Sequence, residues 1–408
     1  MSRIAVIGAG ISGMAAAYYL SEKHEVWLFE REHRLGGHTH THTVDGLEID
    51  TGFIVHNDET YPNFIRLMGE LGVARQDSDM SLSVFELQGG YAYSSNGLRG
   101  FFSSWRNLLN PSHYQMGMDI LRFNKEAPKL LGRKEEITLG EYLDREKYCQ
   151  AFQKLYIVPM ASAIWSSSPE DILDFPAFTL IRFFMNHNLL SVNQHHSWKA
   201  LVGGSSTYIP PLTARYRERI VLGARIASVD GGAAGAQIRL ESGNVLNFDE
   251  CVLACHGDQA LCLLDTPTEK EVEVLSNFKT SRNEACLHTD EHLLPRQLAA
   301  RASWNCILGT GGGAALTYSM NRLQRLKTDK EYCVTLNCTN QIDPQKIVRR
   351  IEYRHPLYTK DAVASQSRWA EINGRRHIHF CGAYWFYGFH EDGVNSALRV
   401  AKQLGIDC

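Results

Sequence analysis

Short apolar runs and small residues alternate over the first thirty positions of the chain. An apolar run of strand length, Ile4–Ile7, leads into the glycine-rich stretch 8–13, and Met14–Leu20 follows with helical character. A second apolar strand, Glu25–Phe29, comes after a turn at His24. This pattern predicts a βαβ unit, in which a helix connects two strands of one sheet.

Helical periodicity dominates the second quarter of the chain, and strands return after it. An amphipathic helix over residues 62–72 and a hairpin over 82–93 precede a helical region from Phe101 to about Asn193. Strands are predicted again between residues 220 and 255, at 306–308, 334–336 and 378–380, with a last helix from residue 391.

Residues 175–190 carry nine bulky apolar side chains. Two interpretations are open: a buried core helix, or the wall or mouth of an apolar substrate tunnel that touches a membrane surface. Apolar helices are mostly core, so the buried helix is favoured.

Composition narrows the class of protein. The chain has 408 residues, of which 44% are hydrophobic and 21% charged, and this suits a globular protein of two or three domains. A net charge of −3 indicates no strong electrostatic attraction of the whole chain to nucleic acid or to an anionic membrane. The sequence shows neither a secretory leader nor an apolar run of about 18 residues. The ten cysteines are scattered without a common zinc spacing, so we expect reduced thiols and a cytoplasmic protein.

The glycine stretch has the spacing G-x-G-x-x-G, and each glycine has a physical role. Gly8 permits a tight turn, Gly10 lets a pyrophosphate approach the backbone, and Gly13 lets the helix pack close to the strand. The N–H groups at the start of the helix, at Ile11 and Ser12, face the phosphates, and the helix dipole favours their negative charge. The motif predicts a dinucleotide site.

Glu30 ends the second strand about 20 residues beyond the glycines, where an acidic side chain accepts the ribose hydroxyls of a dinucleotide. An acid in this place repels a 2′-phosphate, so an unphosphorylated adenosine nucleotide is expected. The motif alone does not separate NAD from FAD.

Three histidines, His38, His40 and His42, alternate with threonines and would share one face of a strand. Such a set could ligate a metal ion. Adjacent positions on one strand face rarely converge on one ion. A solvated strand with one histidine near a phosphate is therefore favoured, and no metal is predicted.

Glu30, the run Leu35-Gly36-Gly37 and the turn Asp50-x-Gly52 together resemble the second part of the FAD signature of the flavin amine oxidase and phytoene desaturase superfamily. The resemblance implies an α/β, Rossmann-like FAD-binding domain, in which the Gly-Gly loop and the Asp-x-Gly turn cover the pyrophosphate and the isoalloxazine. The superfamily usually has an arginine where this chain has His38. The cofactor neighbours implied beyond the glycine stretch and Glu30 are Arg31, Gly36, Gly37, His38, Thr39, Gly52, Phe53, Ile54, Ile226 and Ala254.

The end of the chain resembles the final flavin motif of the same superfamily. A strand ending at Gly382 is followed by an aromatic loop, by Gly388 and by an acid-Gly helix start. The resemblance implies that this helix points its N-terminus at the N1–C2=O edge of the flavin. The neighbours implied here are Gly382, Ala383, Gly388, Phe389, His390, Glu391 and Val394, with Ala383 in a place where many relatives carry an acid.

Further runs extend the resemblance over the whole chain, namely Cys255-His256-x-Asp258-Gln259, Leu287-His288-Thr289-Asp290, Asn321-Arg322-Leu323-Gln324 and His355-Pro356. With the tail motif, they resemble a bacterial group of predicted NAD/FAD-binding oxidoreductases, and a similar module forms the N-terminal part of plant cyclopropane fatty acid synthases. Such bacterial proteins often accompany lipid methyltransferases, which implies an acyl-lipid substrate and a methyltransferase partner. The implied division is a glutathione-reductase-like FAD domain over residues 1–95, 195–262 and 365–408, with a mixed α+β substrate domain over 96–194 and 263–364.

Catalytic residues are harder to assign than cofactor residues. Amine oxidases of the superfamily hold a lysine over flavin N5, and by order it would fall near residues 282–287, where this chain has none. Phe389 matches one position of the family's aromatic pair, and Tyr384 or Trp385 would supply the other. Position beside the flavin edge makes His390 and Glu391 the candidate acid–base groups, although Glu391 would also serve as a helix cap. His56, His256 and His288 are further candidates.

Three functional hypotheses follow. The first is an FAD-dependent desaturase, oxidase or isomerase that acts on an apolar, fatty-acyl lipid by hydride transfer to flavin N5. The second is a flavin amine or polyamine oxidase. The third is a non-redox flavoprotein that is accessory to a lipid methyltransferase.

Overall fold

The structure is a computed structural model that describes residues 1–133, 135–191, 197–309 and 315–407. The strands in these ranges are β1 (Arg3–Ile7), β2 (Glu25–Glu30), β3 (Thr41–Val44), β4 (Leu47–Asp50), β5 (Val55–Asn57), β6 (Arg75–Asp77), β7 (Leu82–Glu86), β8 (Ala92–Ser94), β9 (Trp198–Leu201), β10 (Ile220–Leu222), β11 (Ile226–Gly232), β12 (Gly235–Leu240), β13 (Val245–Phe248), β14 (Glu250–Leu253), β15 (Thr280–His288), β16 (Trp304–Leu308), β17 (Ala315–Ser319), β18 (Cys333–Leu336), β19 (Ile347–Pro356) and β20 (Ile378–Phe380).

The α-helices are α1 (Ile11–Leu20), α2 (Pro62–Glu70), α3 (Gly97–Phe101), α4 (Trp105–Leu108), α5 (Pro111–Glu126), α6 (Leu139–Arg145), α7 (Gln150–Phe152), α8 (Val158–Trp165), α9 (Pro169–Leu173), α10 (Ala177–Asn186), α11 (Ile209–Thr213), α12 (Gly257–Leu263), α13 (Glu269–Leu275), α14 (Met320–Leu323), α15 (Lys360–Gln366), α16 (Trp369–Ile372) and α17 (His390–Gln403).

Five parallel strands form the nucleotide-side sheet, in the order β10–β2–β1–β14–β20. Its strands come from the beginning, the middle and the end of the chain. Ile4, Val6 and Val252 are fully buried, as expected for parallel strands that are covered on both faces. Helix α1 connects β1 to β2 and packs against α17. The predicted βαβ unit and the α/β fold are confirmed.

A second sheet has seven strands, in the order β19–β15–β18–β17–β16–β7–β8, and is antiparallel except between β16 and β7. β16 pairs with β7 from Trp304 opposite Leu82 to Leu308 opposite Glu86. Residues 82–94 therefore belong to this sheet, whereas the predicted boundary at residue 95 grouped them with the nucleotide-side strands. The grouping depends on hydrogen bonds between strands far apart in sequence, which no local pattern reports. The predicted boundary between residues 194 and 195 lies outside the described residues, and the remaining boundaries stay predictions.

The apolar segment 175–190 forms helix α10. Leu180, Ile181 and Phe184 on this helix have no exposed surface, so the favoured interpretation as a buried helix is confirmed. Phe183 is the side chain of α10 that reaches the large cavity described below.

Local sequence signals form the turns and caps that they predict. Asp45 and Gly46 both adopt left-handed φ angles, 52° and 77°, in the two-residue turn between β3 and β4. Thr138 and Glu141 form a capping box at the start of α6, with each side chain bonded to the other residue's backbone N–H.

A buried carboxylate joins three parts of the chain. Asp50 accepts hydrogen bonds from the backbone N–H and the hydroxyl of Ser205, from the hydroxyl of Thr41 and from the amide of Gln324. Burial raises the pKa of Asp50 to about 6, and the bonds from Thr41 and Ser205 oppose that rise. Its ionised form is stable at neutral pH because its oxygens are supplied with donors.

The histidines 38, 40 and 42 do not share a strand face, so that expectation is wrong. β3 begins only at Thr41, because the chain before it turns at Gly36 and Gly37, which have positive φ. The rings of His40 and His42 lie 4.0 Å apart. Within the described ranges, no group of three His, Cys, Asp or Glu side chains has the arrangement of a metal site. Nor does any helix there combine the length and apolarity needed to cross a bilayer.

Acid should destabilise the fold through buried histidines, and His288 provides a test outside the cavity wall. Burial lowers the pKa of His288 to about 4, while its Nε2 lies 2.7 Å from the Thr335 hydroxyl. The unfolded chain then binds the proton more tightly, so stability falls as the pH drops below about 6.5 and continues to fall to about 4. Between about pH 7.5 and pH 5.5, the wild type should lose about 1 kcal/mol more unfolding free energy than His288→Gln. Urea unfolding at the two pH values measures this, and an equal loss in both proteins would contradict it.

Candidate active site

A cavity of about 1310 Å³ is lined by residues of both large sheets. One part of its wall consists of the glycine turn after β1, the end of β2 and the residues after β14. Another part comes from α8, α10 and strands β16 to β18. The cavity therefore has room for a large ligand that contacts both halves of the fold.

The three motif glycines have different surroundings. Gly8 has a φ of +105° in the tight turn. A Cβ on Gly10 would meet no atom within 4 Å, so the backbone here is open towards the cavity. A Cβ on Gly13 would lie 1.9 Å from the carbonyl oxygen of Gly8. Gly13 thus serves packing of α1 against β1 and is not part of the described cavity wall.

Glu30 lies in the cavity wall and also holds the glycine turn in place. Its carboxylate accepts the backbone N–H of Ala9 at 2.7 Å and that of Glu32 at 2.9 Å. A carboxylate oxygen can accept more than one bond, so these contacts leave capacity for ribose hydroxyls.

The Gly-Gly loop and the Asp-x-Gly turn cross each other over the glycine turn. Gly36 donates its N–H to Ala9 at 2.9 Å, and Phe53 donates to the carbonyl of His38 at 2.9 Å. A Cβ on Gly52 would lie 1.9 Å from the same His38 oxygen, so only glycine permits the crossing. These backbone contacts place Gly36, Gly37, His38, Gly52, Phe53 and Ile54 in the cavity wall. Their contact with a cofactor stays a prediction.

An imidazole cluster lines the cavity around His38. The ring of His38 lies 6.0 Å from His256, 5.1 Å from His355 and 5.2 Å from Tyr353, on which it stacks. Burial lowers the pKa of His38 well below its ordinary value, lowers that of His355 to about 4 and lowers that of His256. The cluster is therefore uncharged at neutral pH. His355 was not anticipated from the sequence, because β19 and the loop after β14 meet His38 only in the folded chain.

The tail motif closes the cavity with a stacked histidine. The ring of His390 lies 3.6 Å from that of Phe53, nearly parallel to it, and its Nε2 is 2.9 Å from the hydroxyl of Thr39. Burial lowers the pKa of His390 to about 3. His390 is therefore a neutral imidazole at neutral pH, and it lacks the imidazolium proton that a general acid would donate.

Glu391 does not face the cavity, which contradicts its predicted acid–base role. Its carboxylate accepts the backbone N–H groups of Asn63 and Phe64 and the side-chain amide of Asn63. It therefore caps the start of α2 rather than its own helix. Thr39 and Val394, predicted cofactor neighbours, are likewise buried behind the wall, with 0% exposure each.

The wall contributed by the substrate side is apolar and aromatic. It includes Met160, Ile164, Trp165, Phe183, Leu189, Trp304, Tyr318, Leu336, Tyr358 and Phe389, which sequence patterns did not single out apart from Phe183, Leu189 and Phe389. None of the described residues of the cavity wall is a lysine.

Phe389 and Tyr384, predicted as an aromatic pair beside the flavin, belong to two different aromatic groups of the cavity wall. Phe389 stacks on Phe183, with the ring centres 5.1 Å apart. Tyr384 packs instead against Phe278 and Trp385, at 4.8 Å and 5.1 Å. Tyr384 lines the cavity in a separate aromatic group, because the turn after Gly382 directs it towards α13 and not α10.

The wall fits an FAD molecule on its own chemistry. Among the described residues, several buried polar atoms of the cavity wall have no hydrogen-bond partner in the protein, namely His38 Nε2, Trp165 Nε1, Trp304 Nε1, Tyr358 OH and Tyr384 OH. Buried polar groups normally have partners, so these atoms indicate a polar ligand. The open backbone at Gly10, the N-terminus of α1 and the free side of His38 would hold a pyrophosphate, and Glu30 would hold the ribose.

Comparison with known proteins gives the same cofactor class. The family model for flavin containing amine oxidoreductases matches residues 11–329. The Mycobacterium tuberculosis protein AofH, provisionally named a flavin-containing monoamine oxidase, is 25% identical over 252 residues, or 59% of this chain and 54% of that protein. The Staphylococcus aureus 4,4'-diapophytoene desaturase is 39% identical over 70 residues, 17% of this chain and 14% of that protein. The chain thus spans about half the length, or less, of these curated relatives.

Solved structures share the fold over the whole chain. A putrescine oxidase variant superimposes with a TM-score of 0.73 at 14% identity, covering 99% of this chain and 98% of the other. A fatty acid isomerase from P. acnes that produces CLA gives a TM-score of 0.65 at 15% identity, with 99% of both chains covered. Identities this low establish the fold alone.

Two glycine substitutions should separate cofactor binding from folding. Gly10→Ala places a methyl group in the open cradle, so FAD affinity should drop about tenfold or more while the melting temperature of the apoprotein stays unchanged. Gly13→Ala forces α1 away from β1 and should cost about 2 kcal/mol or more of stability. Titration of apoprotein with FAD and thermal unfolding measure the two effects. Equal effects from both variants would contradict the assignment.

His38 should act as a neutral hydrogen-bond donor to the cofactor. His38→Phe keeps a ring beside Tyr353 but removes the donor, so FAD affinity should fall about tenfold. His38→Gln retains an N–H donor and should lose less. Isothermal titration of apoprotein with FAD checks both variants, and an unchanged affinity for His38→Phe would exclude this role.

Proposed function

Because this chain belongs to the flavin containing amine oxidoreductase family, we propose that it oxidises or isomerises an apolar, fatty-acyl lipid. Family membership makes it an FAD-dependent oxidoreductase, and the substrate is our inference. Bound FAD supplies the two-electron chemistry at a C–H bond. The residues of this chain bind the substrate, orient it and exclude water.

The chemistry of the substrate-side wall is the observation that carries the proposal. The five acidic residues in the described cavity wall are Glu30, Glu32, Glu241, Asp258 and Glu352. Three of them lie on β2, α12 and β19, and the other two lie just after β2 and β12. The apolar wall is supplied by α8, α10, β16, β17 and β18, and none of the five acids lies on these elements. A protonated amine placed there would lose its hydration without an acidic partner. An acyl chain would gain free energy from burial against the same side chains.

Polar groups in this wall suit an uncharged or weakly polar group of the substrate. Trp165 and Tyr358 line the cavity, and their buried Nε1 and OH atoms have no hydrogen-bond partner among the described residues. Both atoms can donate a hydrogen bond to a carbonyl or hydroxyl oxygen. They would hold one polar point of an acyl lipid and leave the chain free to fill the apolar wall.

The names of two relatives support an apolar substrate. One is a desaturase of 4,4'-diapophytoene and the other a fatty acid isomerase. Two predictions from the sequence agree with an apolar substrate. They are the resemblance to the module of plant cyclopropane fatty acid synthases and a lipid methyltransferase as partner, and both remain predictions. A non-redox accessory role beside such a methyltransferase remains a further hypothesis.

Amine or polyamine oxidation is the second candidate. The aromatic side chains of the cavity wall, among them Phe389, favour it, because a free face of an aromatic ring attracts a cation. Two of the similar proteins, AofH and putrescine oxidase, are named as oxidases of amines.

Anaerobic spectroscopy separates these candidates. The purified holoprotein should lose its flavin absorbance with unsaturated or methyl-branched acyl lipids, or convert their double bonds without net loss of colour. Product analysis by gas chromatography identifies either outcome. Reduction by putrescine or aliphatic monoamines, with none by acyl lipids, would overturn the proposal. A flavin that no lipid or amine reduces, with no lipid product and with co-purification of a lipid methyltransferase, would favour the accessory role.

The partly exposed Ile164 in the cavity wall provides a matched pair of variants. Ile164→Asn puts an amide in the acyl path and should raise KM for the acyl lipid about tenfold or more, while Ile164→Val should change it little. FAD content should stay the same in both. Equal KM values for the two variants would place the acyl chain elsewhere.

A further inference from the structure

Exposed apolar side chains are concentrated on one surface of the protein. Of the fourteen large hydrophobic residues that the described chain exposes, eight lie on or beside helices α3 to α5. We call this the α3–α5 surface; it comprises Leu98, Trp105, Leu108, Leu109, Tyr114, Met118, Leu121 and Leu298. Leu98, Leu109 and Leu298 are each more than 70% exposed. A cluster of this kind is unusual for a surface that faces only water.

These residues form a continuous face although they come from separate segments. The hydroxyl of Tyr114 donates to the carbonyl of Leu108 at 2.9 Å and joins α5 to α4. α3 packs against the turn Leu298–Ala300, and the Ser94 hydroxyl before α3 donates to the Ala299 carbonyl at 3.0 Å. The segment 298–300 thus adds Leu298 to the same side.

The exposed apolar residues of helix α5 follow the helical repeat and so form a regular outward face. Tyr114, Met118 and Leu121 lie at spacings of four and three residues, so they form one stripe along the helix. The buried residues Met116 and Phe123 occupy the opposite side. The helix therefore presents apolar side chains both to the core and to the outside.

Basic residues accompany this surface. Helices α3 to α5 and their connections contain four basic residues, Arg99, Arg106, Arg122 and Lys125, and two acids. The acid Asp119 pairs with Arg122 at 2.9 Å, and Glu126 pairs with Lys129 beyond the end of α5. A symmetric contact with a second copy of this chain would bring these like charges together. A surface of anionic lipid would instead be attracted to them.

The α3–α5 surface adjoins the cavity wall. Ser95, two residues before α3, donates its N–H to the carbonyl of Leu82 at 2.8 Å, and Leu82 lines the cavity. The β7–β8 hairpin therefore links the α3–α5 surface to the cavity wall.

We propose that the α3–α5 surface docks the protein onto an anionic membrane surface, with its leucines, Trp105 and Met118 entering the headgroup region and its basic residues contacting lipid phosphates. In the less favoured interpretation of the sequence, residues 175–190 touch a membrane; Leu180, Ile181 and Phe184 of that segment are buried, and Phe183 lines the cavity. The docking surface is a different one, and its inference does not depend on the proposed reaction. Apolar insertion combined with basic attraction is how interfacial helices bind.

Vesicle sedimentation of the full-length holoprotein tests the proposal. The protein should sediment with vesicles of phosphatidylcholine and phosphatidylglycerol in equal parts, more weakly with phosphatidylcholine alone, and less at high salt. The double variant Leu109→Glu, Met118→Glu should lower the partition coefficient about tenfold or more. Removing a basic side chain, as in Arg99→Gln or Lys125→Gln, should lower it about fivefold each.

The matched control is Val245→Glu, Val272→Glu, which changes two exposed apolar residues elsewhere and should leave binding unaltered. Flavin absorbance confirms that every variant is folded. Wild type that stays in the supernatant with both vesicle types overturns the proposal, as does a control variant that loses as much binding as the α3–α5 variant. Loss of a dimer in analytical ultracentrifugation by Leu109→Glu, Met118→Glu, without any vesicle binding, assigns the surface to a second copy instead. Because no readout involves turnover, failure here leaves the proposed function untouched.

Discussion

The buried carboxylate of Asp50 is the interaction on which the arrangement of the cavity depends. It receives donors from the β3 strand, from the turn that begins at Ser205 and from Gln324 after α14. The first segment follows the Gly-Gly loop, and the second comes after the helical region and β9. The third connects β17 to β18 of the seven-stranded sheet. A charge this deeply buried is stable only when all its donors are in place, so the three segments must meet in one geometry.

That geometry explains why the Asp-x-Gly turn is a sequence signature even though its acid never reaches the cavity. Asp50 fixes the turn, and Gly52 then permits the His38 carbonyl to pass within a distance that no side chain would allow. Phe53 follows at once and supplies the ring on which His390 of the tail stacks. The Asp-x-Gly turn and the tail motif, more than three hundred positions apart, are thus in direct contact. The contact is between neutral rings because burial keeps His390 uncharged.

Sequence patterns predicted well what is local. The glycine turn, the Asp45-Gly46 hairpin, the capping box at Thr138 and the buried α10 all depend on residues within a few positions of one another. The features that these patterns did not predict depend on contacts between distant segments. Glu391 was assigned to chemistry because it starts a helix beside the flavin motif, yet its acceptors are satisfied by Asn63 and Phe64, more than three hundred positions earlier. The contact between His355 and His38 was not predicted for the same reason, because β19 meets the Gly-Gly loop only in the tertiary structure.

The order of strands in the nucleotide-side sheet has a consequence for biosynthesis. β14 is flanked by β1 and by β20, and α17 after β20 packs on α1. A ribosome must therefore synthesise almost four hundred residues before α17 can pack on the first helix. The edge of β14 that pairs with β20 also waits for the end of the chain, so the cavity wall around Phe389 and His390 is completed only when the last strand and helix have been made.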